Sequence, residues 1–295
     1  MRENGPVTSA TRQPETPAAT LPPRLIATDL DGTLLRDDKS VSERTVAALA
    51  AAEEAGIEVF FVTGRPARWM DVVSDHVHGH GLAICGNGAA VVDLHGGPGA
   101  HRFVKVRELA RENALDAVRL VREAAPGTVF AVEQTYGFYQ EPAYPKLHME
   151  MPDTLASAEK LLAPDAPGAG EPVLKILAFH HELDPDAFLT VARDAVGDRA
   201  TITRSSPSAL LEISGPGVSK ASTLELCCAE RGISPEEVVA FGDMPNDVEM
   251  LTWAGTSYAM GNAHPAVIAA ASGRTVANNE DGVAVVIEKI LAERL

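Results

Sequence analysis

Short apolar runs that end on acids and hydroxyls, separated by helical segments, open and close this 295-residue chain and leave few architectures to choose from. The first, Leu25-Ile26-Ala27-Thr28, stops on Asp29-Leu30-Asp31-Gly32 and reads as a strand covered on both faces of a parallel sheet. Ser40 and Glu43 then form an S-x-x-E capping box, Val46, Ala47, Leu49 and Ala50 supply the apolar stripe of a helix, and Gly56 ends it. A second apolar strand over 57–62 runs into Thr63-Gly64-Arg65-Pro66, which completes a β-α-β unit.

A third strand over 82–85 breaks on Gly86-Asn87-Gly88, and strands over 89–93 and 101–105 flank Gly96-Gly97-Pro98-Gly99 in a hairpin pattern. Between 106 and 213 the alternation is lost. Helices are predicted over 106–124, 153–162 and 184–196, with strands over 128–134, 137–140, 175–180, 200–204 and 209–213. After Gly215-Pro216-Gly217 it resumes, with helices over 220–230, 246–253, 265–271 and 282–293 and strands over 238–241, 257–260 and 274–277. The expected fold is α/β: a Rossmann-like parallel-sheet core from residues 23–87 and 214–295, interrupted by an α+β cap over 88–213. Residues 1–22, rich in Pro, Thr, Ala and Glu with few large aliphatics, are predicted to be disordered.

The net charge is −16 and the isoelectric point is near 4.9, so the basic footprint needed for nucleic acid or anionic lipid is missing. No run approaches the roughly 20 apolar residues of a membrane helix, and the first 20 residues lack the apolar block of a secretion signal. Three cysteines, Cys85, Cys227 and Cys228, are an odd number for a disulfide framework and suit a reducing compartment. A cytoplasmic protein acting on a small molecule is the expectation; the sequence fixes no oligomeric state.

Ligands of open parallel sheets bind beyond the carboxyl ends of the strands, so the residues that end each run carry the argument. They are Asp29 and Asp31, Thr63 and Arg65, Asn87, and Asp243 with Asn246 and Asp247, while Lys220 opens the helix before the strand that ends on Asp243. Four carboxylates on one edge repel one another, and a hard divalent cation with oxygen ligands relieves this. Magnesium suits the number of acids, because it takes a few carboxylates plus substrate phosphate. An ionised Asp29 beside the cation can attack phosphorus, and Asp31 can protonate the leaving oxygen and later activate water. Thr63, the Gly64 backbone and Lys220 are the natural donors to the phosphoryl oxygens.

Asp29-Leu30-Asp31-Gly32-Thr33-Leu34, Thr63-Gly64-Arg65, Gly217-Val218-Ser219-Lys220 and Gly242-Asp243-Met244-Pro245-Asn246-Asp247 resemble the four ordered motifs of haloacid dehalogenase-like phosphatases. Gly86-Asn87-Gly88-Ala89 and the closing Asn278-Asn279-Glu280-Asp281-Gly282 are similar to those of the Cof-type subgroup, and the insertion resembles its α+β cap. The resemblance implies Asp29 as nucleophile, Asp31 as acid and base, and Thr63 and Lys220 on the phosphate. It also implies magnesium held by Asp29, the Asp31 carbonyl and Asp243, with Asn246 and Asp247 in support. The expected activity is magnesium-dependent hydrolysis of small phosphomonoesters, sugar phosphates or similar metabolites, through an aspartyl phosphate. The alternatives are transfer to a second hydroxyl by a phosphomutase or other phosphotransferase, and phosphate binding without catalysis.

Several residues carry two readings. Arg65 contacts substrate or pairs with a nearby acid; Asn87 contacts substrate or serves a left-handed turn. Asn246 and Asp247 either cap the following helix or face the metal. The cysteines read as core filling, and His76-Val77-His78-Gly79-His80 as a solvated loop lacking the partners of a zinc site. Tyr136, Phe138, Tyr139 and His148 line a pocket or pack a sheet.

Overall fold

The computed structural model describes residues 21–74, 81–146 and 151–294. The predicted disordered tail, apart from residues 21 and 22, lies outside these, as do the 76–80 histidine cluster and His148.

The chain runs β1 (Leu25–Thr28), α1 (Glu43–Glu54), β2 (Glu58–Val62), α2 (Asp71–Ser74), β3 (Leu82–Cys85), β4 (Ala90–Asp93) and β5 (Arg102–Val106). The inserted region follows as α3 (Arg111–Ala124), β6 (Val129–Gln134), β7 (Phe138–Gln140), β8 (Thr154–Leu155), α4 (Ala158–Leu161), β9 (Val173–Phe179), α5 (Pro185–Val196), β10 (Thr201–Thr203) and β11 (Leu210–Ser214). The return leg is α6 (Lys220–Arg231), β12 (Val238–Gly242), α7 (Val248–Trp253), β13 (Thr256–Ala259), α8 (Pro265–Ala270), β14 (Gly273–Arg274) and α9 (Gly282–Ala292).

The larger sheet has the order β14-β13-β12-β1-β2-β3-β4-β5. Its first six strands are parallel, with β1 pairing on one side with β12 and on the other with β2. Successive strands leave β1 in opposite directions, so the order reverses there and a crevice opens at the carboxyl end of β1. Residues alternate between two cores: Ile26 faces one apolar cluster with α1 and α9, while Leu25 and Ala27 face another with α6 and α7. Burial on both faces explains why these strands read as unbroken apolar runs.

The hairpin predicted over 89–105 is present, but it pairs antiparallel with β3 and extends the larger sheet instead of the inserted one. Pairing partners of a hairpin are not encoded in its own turn residues, so the expected boundary of the insertion at residue 88 falls inside the larger sheet, which runs on to Val106. The second sheet, β10-β11-β9-β6-β7-β8, packs Phe130, Val132, Ile176, Leu211 and Ile213 against α3 and α5. It is antiparallel except between β7 and β8. The helix expected over 153–162 is replaced by the short edge strand β8 and by α4. Asp153 accepts the Phe138 N–H, which recruits this stretch to the sheet.

Candidate active site

Asp29 immediately follows the central strand β1, and its amide donates to the Phe241 carbonyl of β12 at 3.1 Å. Asp243 and Asp247 follow β12, one strand away, and Lys220 is the first residue of α6. The four side chains converge although all are charged and almost wholly buried: Asp29 is 5%, Asp243 6%, Asp247 0% and Lys220 1% exposed. Lys220 Nζ donates to Asp29 Oδ1 at 2.6 Å and to Asp247 Oδ1 at 2.7 Å. Asp247 Oδ2 accepts the backbone N–H groups of Asp243 and Met244, both at 3.0 Å. Thr33 Oγ1 donates to Asp243 Oδ1 at 2.9 Å.

Ligand oxygens of Asp29, Asp243 and Asp247 all lie within 4.8 Å of one another. One ammonium among three carboxylates leaves an excess of negative charge in a dry site. Burial is the main cause of a raised Asp29 carboxyl, which the Lys220 ammonium only partly offsets. Burial, followed by the Asp247 charge, pushes Asp243 up to about 7. Burial would lower Lys220, but Asp247 and Asp29 outweigh it and hold the amine charged well above its ordinary range. A site short of positive charge and furnished only with hard oxygen donors fits a divalent metal ion. Both Asp247 oxygens are already engaged, whereas among the described residues Asp29 Oδ2 and Asp243 Oδ2 receive no hydrogen bond, the donors Lys220 and Thr33 going to the Oδ1 atoms.

Two glycines make this approach possible. A Cβ on Gly32, whose φ is +78°, would land on Asp243 Oδ2, and one on Gly242 would run into the Asp247 side chain. The closing Asn-Asn-Glu-Asp-Gly motif acts from behind. Asn278 donates to the Leu35 carbonyl at 2.9 Å and Asn279 to Asp37 at 2.7 Å, while Asn262 holds the Gly32 carbonyl at 2.8 Å. These residues clamp the loop after β1.

The carboxylate of Asp31 stands apart from the three acids. Arg65 grips it through two hydrogen bonds of 2.6 and 2.7 Å, and Lys39 donates to it at 2.8 Å. Burial would raise this carboxyl, but Arg65 and Lys39 outweigh it and hold it at about 2. Of its two readings, Arg65 thus takes the pairing with a nearby acid. Thr63 is buried, with its hydroxyl accepting the Arg65 N–H at 3.1 Å. Asn87 has φ +55°, the left-handed turn, and its side chain also accepts from Asn246 Nδ2 at 3.0 Å.

The cysteines are free and buried, as read, and burial pushes the Cys85 thiol up to about 12. Tyr139 packs in the apolar core of the second sheet, while Tyr136 is largely exposed and meets Phe103 edge-on. Sequence reasoning missed Lys175 and Glu212, a buried ion pair on β9 and β11. Lys175 Nζ also reaches the Gly64 carbonyl at 2.7 Å. A lysine within the predicted strand over 175–180 and an acid within that over 209–213 were the available signals, yet nothing in either run announces its partner.

Residues 26–287 match the family of haloacid dehalogenase-like hydrolases. The chain is 29% identical over 269 residues to 5-amino-6-(5-phospho-D-ribitylamino)uracil phosphatase YitU of Bacillus subtilis, covering 89% of this chain and 95% of that protein. It is 31% identical over 245 residues to HMP-PP phosphatase of Yersinia enterocolitica, covering 82% and 85%. Its backbone superposes on SMU.1108c from Streptococcus mutans with a TM-score of 0.78 at 24% identity, covering 92% and 99%. For the subclass IIB sugar phosphatase BT4131 the TM-score is 0.72 at 22% identity, covering 90% and 98%. The family match takes in the loops after β1, β2 and β12 together with the start of α6, and the chain belongs to the haloacid dehalogenase-like hydrolases.

Proposed function

We propose that this chain is a magnesium-dependent phosphatase that hydrolyses small phosphomonoesters through a phosphorylated Asp29. The observation that carries this reading is the buried cluster of Asp29, Asp243 and Asp247 joined through Lys220 at 2.6 and 2.7 Å. Asp29 and Asp243, with the Asp31 carbonyl, would hold magnesium, and the bound ion supplies the positive charge that neutralises phosphoryl oxygens. Asp247 supports from behind, fixing Lys220 and the Asp243 backbone. Asn246 acts with Asn87 beside it.

Asp29 attacks phosphorus and the leaving alkoxide departs with a proton from Asp31; Asp31 then takes a proton from the water that cleaves the acyl phosphate. Lys220, Thr63 and the Gly64 amide donate to the phosphoryl oxygens, where charge is spread in the transition state. Asp31 is bound to Arg65 in the conformation described, so it works as an acid only after Arg65 lets go. The inserted region, as a lid over the crevice, would shield the reacting groups from bulk solvent when closed and release product when open. Localisation in the cytoplasm is part of the same proposal; among the described residues no helix is long and apolar enough to cross a membrane.

The test is release of phosphate from an aryl phosphate in magnesium buffer. Asp29→Asn, which keeps the shape and a partner for Lys220, is expected to lose activity by several orders of magnitude with little change in thermal unfolding. Turnover near the wild-type rate in that variant would falsify the assignment.

A further inference from the structure

We infer that Arg107 is a positioning residue for the phosphoryl transfer: it locks the first turn of α6 to the hinge of the inserted region and so holds Lys220 in place while that region moves. The inference rests on the phosphatase reading above and adds to it a residue outside the set assigned to metal and phosphate.

The chain enters the inserted region over residues 107–110 and leaves it over 215–219. The two crossings touch, since a Cβ on Gly215 would come 2.7 Å from the Glu108 carbonyl oxygen. Arg107 stands on the core side of the first crossing. Its amide donates to the Ala89 carbonyl at 2.8 Å, which fixes its backbone beside the larger sheet. Its guanidinium spans the gap to the second crossing: Nη2 donates to the Gly217 carbonyl at 3.1 Å, and Nη1 to Ser222 Oγ at 2.8 Å and Thr223 Oγ1 at 2.7 Å.

Both hydroxyls belong to the start of α6. Ser222 Oγ donates to the Gly217 carbonyl at 2.7 Å and accepts the Ser219 N–H at 3.0 Å, while Thr223 Oγ1 donates to the Gly88 carbonyl at 2.8 Å. Each hydroxyl spends its one proton on a carbonyl and turns a lone pair to Arg107. Gly88 packs so closely that a Cβ on it would run into the Ser219 carbonyl oxygen. Lys220 follows Ser219 directly, so every contact of the Arg107 fork lies within three residues of it.

Stability alone does not recommend a cation here. The N-terminus of a helix favours negative charge, and the side-chain partners of Arg107 are neutral oxygens. Burial pulls the guanidinium below its ordinary range, a desolvation cost that no carboxylate offsets. What the residue supplies is a rigid planar fork that fixes several points at once. Movement of the inserted region is then taken up beyond that fork, over 108–110 and 215–216. The Lys220 ammonium, 2.6 Å from Asp29 and 2.7 Å from Asp247, is spared it. This matters for rate, because a misplacement of about 1 Å in a group that meets the transition state costs up to about a hundredfold.

The experiment measures kcat and KM for an aryl phosphate, and the magnesium Kd by thermal shift, in the wild type, Arg107→Ala and Arg107→Lys. In Arg107→Ala, kcat is expected to fall about tenfold or more while KM and the magnesium Kd stay within about twofold, and methylguanidinium added to the assay recovers much of the lost kcat by refilling the place of the fork. Arg107→Lys keeps the charge and most of the volume but has no fork. It is expected to show the fall in kcat without that recovery, and it carries the test should the alanine variant fail to fold. A kcat within about twofold of the wild type in either folded variant overturns the inference. So does a parallel loss of magnesium affinity, which would mark general disruption of the site, or a deficit in Arg107→Ala that methylguanidinium leaves untouched. Failure of the wild type to release phosphate contradicts the underlying phosphatase reading instead.

Discussion

A methyl group at residue 32 would have to occupy the same space as an oxygen of Asp243. Gly32→Ala, at φ +78°, is expected to cost about 1–3 kcal/mol and to weaken binding of divalent ions by displacing that oxygen. Thermal unfolding and a magnesium titration check the two halves of this separately; wild-type affinity in the variant would show that Asp243 does not need its present position. The acids themselves make a pH prediction. Asp243, raised to about 7, and Asp29, raised as well, bind more protons in the folded than in the unfolded chain above about pH 4. Their contribution to stability is therefore full below about pH 4 and is lost as pH rises towards about 7. Asp31, held at about 2, acts in the opposite sense, contributing above about pH 4 and losing that as pH falls. Protein stripped of metal is expected to lose melting temperature between about pH 5 and pH 8, and Asp243→Asn to flatten that slope. A slope unaltered by the substitution would place the titration elsewhere. At this scale the sequence was informative wherever a residue ends a strand, as Asp29, Thr63 and Asp243 do. The grip of Arg65 on Asp31 spans 34 positions and that of Lys175 on Gly64 spans 111, distances over which no local pattern reports.

Lys220 is delivered to the acids by the start of α6. Ser219 caps this helix, its hydroxyl accepting the Ser222 N–H while the Ser222 side chain accepts the Ser219 N–H in return. Ser219→Ala is expected to cost about 1 kcal/mol by losing the cap and to lower activity by loosening Lys220; denaturant titration and phosphate release measure these. Loss of stability with full activity would show that Lys220 is positioned by its ion pairs alone. The same kind of element shows where local reading slipped. Ser40 and Glu43 fit a capping box, yet the cap of α1 is Ser42, which bonds the Thr45 N–H. Ser40 is occupied by Asp38, to which it donates from both its amide and its hydroxyl, and Lys39 adopts φ +68°. A turn competing for the same hydroxyl moved the helix start by two residues. Strand and helix order was legible because the two cores impose their periods on the sequence; the sheet joined by β4 and β5 was not, because edge pairing depends on which neighbour is free.

At the scale of the molecule, the proposed function requires a chain of net charge −16 to take an anionic substrate by local reversal of sign, which Lys220 and a dication inside the crevice would supply, with salt screening the remainder beyond about 8 Å. Metal binding and folding are then linked. Magnesium at a hundredfold excess over its Kd is expected to stabilise the stripped protein by about 2.7 kcal/mol, more visibly at pH 8 than at pH 5, where protons compete for the same carboxylates. Absence of any shift at pH 8 would remove the dication from the account. The change from a largely parallel to a largely antiparallel sheet was foreshadowed by the loss of alternation between 106 and 213, whereas the polar face of the second sheet emerges only once its strands are paired. The most direct measurement of the central claim is rapid-quench mass spectrometry of the protein during turnover of a phosphomonoester in magnesium. A phosphoryl group is predicted on the peptide that contains Asp29, absent without substrate and absent in Asp29→Asn; a phosphoryl group on a different residue, or steady phosphate release by that variant, would contradict it.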